Sequence, residues 1–232
     1  MSVGTDNTQA ILTMMDEDDM IAVPQSWWSG WSFESEEKGL IAEFGGTYCS
    51  DGMNGVDYLM ERIHPNAKTI GIAAMAGDYG EDWEAGVKLA AERHGLNVTW
   101  SYTRSVFELS VPEMIELLVT QPVDAFFPAI TPAHTSQVVG GVAEMGAAIP
   151  ITIMANPSYS GLFVQDDSPV KDLFLSGSFY ISSDLEPWND NNRTFSHQRF
   201  KKTIEEFEFS LEGKEAYYLV GWVSQYLSLI HI

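Results

Sequence analysis

Basic residues are scarce in this chain. Twelve Lys and Arg stand against 33 Asp and Glu over 232 residues, a formal net charge of −21. Phosphate binding needs a basic face, so this balance argues against nucleic acid as a partner. It also disfavours an anionic membrane surface. Cysteine is scarcer still. Cys49 stands alone, which excludes an internal disulfide and a cysteine-built metal site. No apolar run approaches the roughly 18–20 residues of a membrane span. The opening residues MSVGT have neither the basic start nor the apolar core of a signal peptide. They read as the interior of a domain, so the front of the protein is expected to lie ahead of Met1.

Catalytic patterns are missing too. There is no H-E-x-x-H, no G-x-S-x-G, no G-x-G-x-x-G and no G-x-x-x-x-G-K-[ST]. Ser168-x-x-Lys171 matches a nucleophile motif by spacing alone. His64, His94 and His197 fall at helix ends or in polar stretches, where solvation is the default. Asp and Glu are so frequent that no pair of them singles out acid–base chemistry. No enzyme activity, cofactor or metal is expected.

Apolar residues are plentiful. The chain is 45% hydrophobic and 12% aromatic, enough to bury a core. From Lys68 onward the pattern is regular. A strand over 69–75 precedes a helix over 80–94, with Trp83, Val87, Ala90 and Ala91 as its inner stripe and Gly95 as its stop. A strand over 97–102 and a Pro112-started helix over 111–120 follow. Next come a strand over 124–130, a helix over 132–145 closed by Gly146, and a strand over 151–154. This alternation predicts right-handed βαβ units and a parallel sheet. Ahead of it, the pattern predicts a helix over 5–15 capped by Asp6 or Asn7. A buried strand over 20–23, a strand over 42–48 and a helix over 50–63 are also expected. Behind it, a strand over 173–180 and helices over 195–209 and 216–226 are expected.

Ligands of open parallel sheets bind outside the carboxyl ends of the strands. Here those ends are residues 76–79, 103–107, 131–134 and 155–159, and His134 lies among them. The turn AMAGDYGED at 74–82 invites comparison with a phosphate cradle. Its helix starts with Glu81, Asp82 and Glu84, which already complement the helix dipole and would repel a phosphate. Tyr79 is the notable residue: a large amphipathic side chain at a strand's carboxyl end, suited to covering a ligand. The loop PQSWWSGWSF at 24–33 places Trp27, Trp28 and Trp31 beside Ser26, Ser29 and Gly30. Aromatic residues there can line a cleft for an apolar or cationic ligand, or pack on a neighbouring helix. At least one is expected to do each.

Five segments in order carry a resemblance: GTDNTQA, VPQSWWSG, KTIGIAAMAGDYGEDWEAGVKLAAERHGLNV, PVDAFFPAITPAHTSQVVGGVAEMGAAIPI and GKEAYYLVGW. Together they resemble the solute-binding proteins of bacterial ABC importers, of the Leu/Ile/Val-binding type with the type I periplasmic binding protein fold. The resemblance implies an α/β protein of two doubly wound parallel-sheet lobes closing on a ligand. The first lobe would be incomplete, over 1–66. The second lobe would span 67–188, and 189–226 would return toward the first. The last six residues, LSLIHI, can be encoded by a sequencing-library adapter and are expected to be read-through.

The resemblance also implies site residues. Asn7 and Thr8 match the early first-lobe loop that binds a ligand carboxylate. Ser26, Trp27, Trp28 and Ser29 match a later loop of that lobe. Tyr79 matches the covering tyrosine of the second lobe, and Thr131 a residue after its third strand. The acidic residue that receives an amino acid's ammonium falls near Asn156, where there is no carboxylate. Amides, urea-like solutes, carboxylates and aromatic compounds therefore stand beside amino acids as ligands. The implied role is solute capture for a membrane permease, in the periplasm or outside the cell, with a lipid anchor as one form. A sensor domain for amides coupled to a regulator is the alternative.

Overall fold

The computed structural model describes residues 2–3, 5–21, 23–33, 46–183 and 195–207. They fall in two compact units, 1–184 and 185–232. In the second unit, Phe195–Phe207 is a helix, as its spacing predicts.

The first unit is organised by a five-stranded parallel sheet. Its strands are β3 (Thr69–Met75), β4 (Asn97–Arg104), β5 (Ala125–Ala129), β6 (Ile151–Ala155) and β7 (Phe179–Ser182). A separate two-stranded parallel pair joins β1 (Ser2–Val3) to β2 (Pro24–Gln25). The helices are α1 (Thr5–Glu17), α2 (Tyr48–Tyr58), α3 (Asp78–His94), α4 (Val111–Thr120) and α5 (Pro132–Glu144). A wider π-type stretch, Leu59–Ile63, continues α2.

The central strands are near-continuous apolar runs because both faces are covered. Ile70, Ile72, Ala74, Phe127, Ala129 and Ile153 face α2 and α3. Ala73, Phe126 and Ile130 turn the other way, toward Met114 and Leu118 of α4 and Val138 and Val142 of α5. This is the period-two alternation of a strand buried on both sides. The predicted stripe Trp83, Val87, Ala90 and Ala91 is fully buried, and Gly95 closes α3 in the left-handed conformation at φ 68°.

Helices α2 and α3 cross at very close range. A Cβ on Gly86 would lie 2.0 Å from the Cys49 carbonyl oxygen, so only glycine permits the approach. Thr47 and Ser50 form a reciprocal capping box at the start of α2, with Ser50 N–H donating to Thr47 Oγ1 at 3.1 Å.

The strand order is β4-β3-β5-β6-β7. After β3 the chain moves through α3 to β4 on one side. After β5 it moves through α5 to β6 on the other. The gap between the carboxyl ends of β3 and β5 is therefore the topological switch point, where this architecture opens a crevice.

Four sequence expectations are corrected. The expected buried strand over 20–23 is not formed at its start, since Met20 and Ile21 are 53% and 68% exposed and pairing begins at Pro24; residue 22 lies outside the described residues. A left-handed Asp19 (φ 55°) ends the turn after α1 and turns the chain outward before it pairs. The run 173–180 is a helical turn, Lys171–Phe174, with β7 starting only at Phe179. The apolar run reads as a strand, but Phe174 packs its ring on both Phe163 and Phe179, and Gly177 takes φ 87° between the helical turn and β7. Tyr48 begins a helix rather than ending a strand; residues 42–45 of that expectation lie outside the described residues. Helix α1 begins at Thr5, so Asp6 and Asn7 sit inside its first turn instead of capping it. The expected helix 216–226 also lies outside the described residues.

Candidate functional site

The switch point carries Gly77, Asp78 and Tyr79 from the β3 end and Ile130 and Thr131 from the β5 end. Gly77 adopts φ 103°, a conformation that side chains disfavour, and so turns the chain sharply into α3. That turn aims Tyr79 across the sheet edge. Its hydroxyl lies 2.8 Å from the Ser158 hydroxyl, on the short helical turn Asn156–Ser158 after β6.

Ser158 is fully buried, and its bonds fix the direction of that contact. Its oxygen accepts the Ile130 N–H at 3.0 Å and lies 2.8 Å from the Ile130 carbonyl oxygen. A serine hydroxyl has one proton and two lone pairs. With the proton given to a carbonyl, Ser158 accepts from Tyr79. The Tyr79 proton is thus spent on Ser158.

Tyr79 is the end of an aromatic row. Its ring meets Tyr48 edge-on at 4.9 Å, and Tyr48 meets Trp27 edge-on at 6.0 Å. Burial pushes the Tyr48 phenol up, against the backbone of Trp27 and the hydroxyl of Ser26, which favour its ionised form. Asp82 and Asp78 push it up further. Ser26 is buried, bonded to the Thr5 hydroxyl, and accepts Trp31 Nε1–H at 3.3 Å.

Asp82 ties the tryptophan loop to α3. Its carboxylate accepts the Ser29 hydroxyl at 2.5 Å, the Ser29 N–H at 3.0 Å and the Cys49 N–H at 3.2 Å. Burial, and then the charge of Asp82, raise the Cys49 thiol, which makes it a poor nucleophile. Asp78 differs from Asp82. One of its oxygens, Oδ2, is buried with no hydrogen-bond partner.

The structure thus brings Ser26, Trp27 and Tyr79 into one neighbourhood with Tyr48, Asp78 and Ser158, and Asn156 opens the short turn that carries Ser158. Thr131 follows Ile130 there, but its hydroxyl caps α5, accepting the His134 N–H at 3.3 Å. Trp28 is turned away, edge-on to Trp31 at 5.2 Å in a cluster with Leu12. Ser29 serves the Asp82 tie. Asn7 is exposed on α1, whereas Thr8 is buried beneath that helix. Tyr48, Asp78 and Ser158 escaped the sequence reading. Tyr48 was hidden by its strand-like surroundings, and Ser158 lay unremarked in the site segment 155–159.

A shallow groove of about 540 Å³ lies elsewhere, between α3 and the edge strand β4. Its polar groups satisfy one another: Glu84 binds Lys88, Ser101 and Thr103. Burial would raise the Glu84 carboxyl, but those three donors outweigh it and hold it low. Among the described residues, no His, Cys, Asp and Glu cluster could hold a metal ion. No described helix is long and apolar enough to cross a membrane.

No protein-family model matches the chain, and no curated protein matches it. Solved structures do. A substrate-binding protein of an ABC transporter from Aeropyrum pernix matches with a TM-score of 0.77 at 14% identity, over 97% of this chain and 57% of that one. The chain has the type I periplasmic binding fold. A solute-binding protein from Rhodopseudomonas palustris HaA2, in complex with p-hydroxybenzoic acid, matches at 0.74 and 11% identity, over 97% and 59%. A branched-chain amino acid ABC transporter protein from Thermus thermophilus with bound valine matches at 0.71 and 10%, over 96% and 56%. These neighbours are transport binding proteins and not enzymes. The chain spans about half the length of the structures it matches.

Proposed function

We propose that this chain is part of an extracytoplasmic solute-binding protein that captures a small molecule and delivers it to the permease of an ABC importer. The observation that carries this reading is Tyr79. It stands at the switch point of a type I periplasmic binding fold, with its hydroxyl bonded to Ser158 and its ring in an aromatic row with Tyr48 and Trp27. Such a row gives the crevice an aromatic, largely apolar lining, which suits the binding of a small solute.

In this reading the sheet β3–β7 with its helices is the second lobe, and β1, β2 and α1 belong to the first. Helix α2 shares the core of the second lobe, so the lobe boundary is best drawn ahead of Tyr48. The neighbours' ligands include an amino acid and an aromatic acid. The proposed solute class spans that range, and Leu/Ile/Val specificity is one case within it. Secretion or lipid anchoring follows from the same role.

The test is a thermal-shift screen of amino acids, amides, ureas and aromatic acids on the full-length protein. A ligand at 100 times its dissociation constant adds about 2.7 kcal/mol to the native state. A shift with one solute class, abolished by Tyr79→Ala, supports the reading. Consumption of a compound without any shift points to an enzyme and ends it.

A further inference from the structure

Among the described residues, the Asp78 carboxylate is a charged acceptor at the switch point that is left partly unanswered. Its Oδ2 is buried and has no hydrogen-bond partner. Three of the neighbouring polar side chains are already engaged. Asp82 accepts three hydrogen bonds, Thr131 caps α5, and Ser158 accepts from Tyr79 and Ile130. A buried acceptor without a donor is costly, and a carboxylate more so than a carbonyl. Asp78 is followed in the chain by Tyr79, whose ring meets Tyr48. It is also close enough for its charge to act on the Tyr48 phenol. The unanswered oxygen and the aromatic row therefore belong to one place.

On the binding reading proposed above, the geometry points to Asp78 as the polar anchor of the site, selecting a solute that brings a donor: an ammonium, an amidinium or an amide N–H on a flat apolar body. The donor end meets Asp78 Oδ2 and the body lies against the ring of Tyr79, which Tyr48 and Trp27 back. Asp78 then does from the β3 end what no carboxylate near Asn156 does from the β6 end. The first turn of α3 adds Glu81 and no basic residue, so an anionic group directed here is repelled.

Three probes of one shape separate the alternatives: tyramine, 4-hydroxybenzamide and 4-hydroxybenzoate. Calorimetric titration of the full-length protein is expected to rank tyramine and the amide at least about tenfold tighter than the acid, since hydrogen bonds to a charged acceptor are the strong ones. Asp78→Asn is expected to weaken tyramine about tenfold or more and to leave the acid unchanged or tighter. Asp78→Ser, a good helix-start residue, repeats the test if the asparagine variant does not fold. Preference of the wild type for 4-hydroxybenzoate, or tyramine affinity within twofold in the folded variant, overturns the inference. A solute lost on Tyr79→Ala yet indifferent to Asp78→Asn removes the Asp78 role and keeps the transport reading. Failure of every probe and of the wider screen removes both.

Discussion

Asp82 and Ser29, 53 residues apart, are joined twice: the carboxylate takes the serine hydroxyl at 2.5 Å and its backbone N–H at 3.0 Å. The same carboxylate reaches the Cys49 N–H in the first turn of α2. One side chain thus holds the tryptophan loop, α2 and α3 together. Asp82→Ala leaves two backbone donors without their acceptor and is expected to cost about 2–3 kcal/mol. Urea denaturation followed by tryptophan fluorescence measures it. A loss below about 0.5 kcal/mol means the tie is not a stabilising element.

The crossing of α2 and α3 makes a sharper prediction. Gly86→Ala puts a methyl group 2.0 Å from the Cys49 carbonyl oxygen, a backbone atom that cannot yield cheaply. The expected cost is about 3 kcal/mol or more, from forced separation of two packed helices. Gly140 on α5 is the control, because its added Cβ would meet only Val170 Cγ1 at 3.5 Å. Gly140→Ala should instead gain about 0.5–1 kcal/mol of helix propensity. Equal thermal melting of the two variants contradicts the packing argument.

Acid stability should depend on Asp124. Backbone N–H groups of Lys68 and Thr69 donate to its carboxylate at 2.7 and 2.9 Å and hold the carboxyl below the ordinary range, against a smaller opposing effect of burial. A carboxyl lowered in the folded state contributes stability above its unfolded pKa of about 3.9, and that contribution is lost as pH falls through the folded value. Asp124→Asn should therefore be less stable than the wild type at pH 7. The gap should hold down to about pH 5, shrink from about pH 4, and be lost as pH falls through the lower folded value. Urea midpoints across that range check it; a gap that does not shrink at all as pH falls from about 5 to about 2 refutes the assignment.

Tyr79 should act through its ring. Tyr79→Phe keeps the wall and removes only the bond to Ser158, so solute affinity should fall less than about fivefold, with about 0.5–1.5 kcal/mol of stability lost. Tyr79→Ala removes the wall and should weaken binding by about ten- to hundredfold, the worth of a buried aromatic surface. If Phe and Ala lose affinity equally, the hydroxyl and not the ring is the contact.

Sequence and tertiary structure divided the work along physical lines. The chain itself determined β3, α4 and the inner stripe of α3, because each is set by local periodicity and local caps: an unbroken small-apolar run, Pro112 after the Ser110 cap, and Trp83, Val87, Ala90 and Ala91 at helical spacing. It also placed Tyr79 at a strand's carboxyl end, since a βαβ pattern fixes which end of a strand meets a ligand. It misread residues 20–23 and 173–180, where short apolar runs fit a strand or a turn equally well. Only the tertiary structure set β3 beside β5 and so located the switch point, because strand order is a matter of which helix crosses which face. Only it turned Trp27 toward Tyr48 and Trp28 toward Leu12, a division between adjacent identical residues that no local pattern encodes. The surroundings of Asp78 and Asp82 were decided in the same way. Four residues apart in one acidic stretch, they read alike in the sequence, and the partners that reach one and not the other come from 53 and 33 residues away.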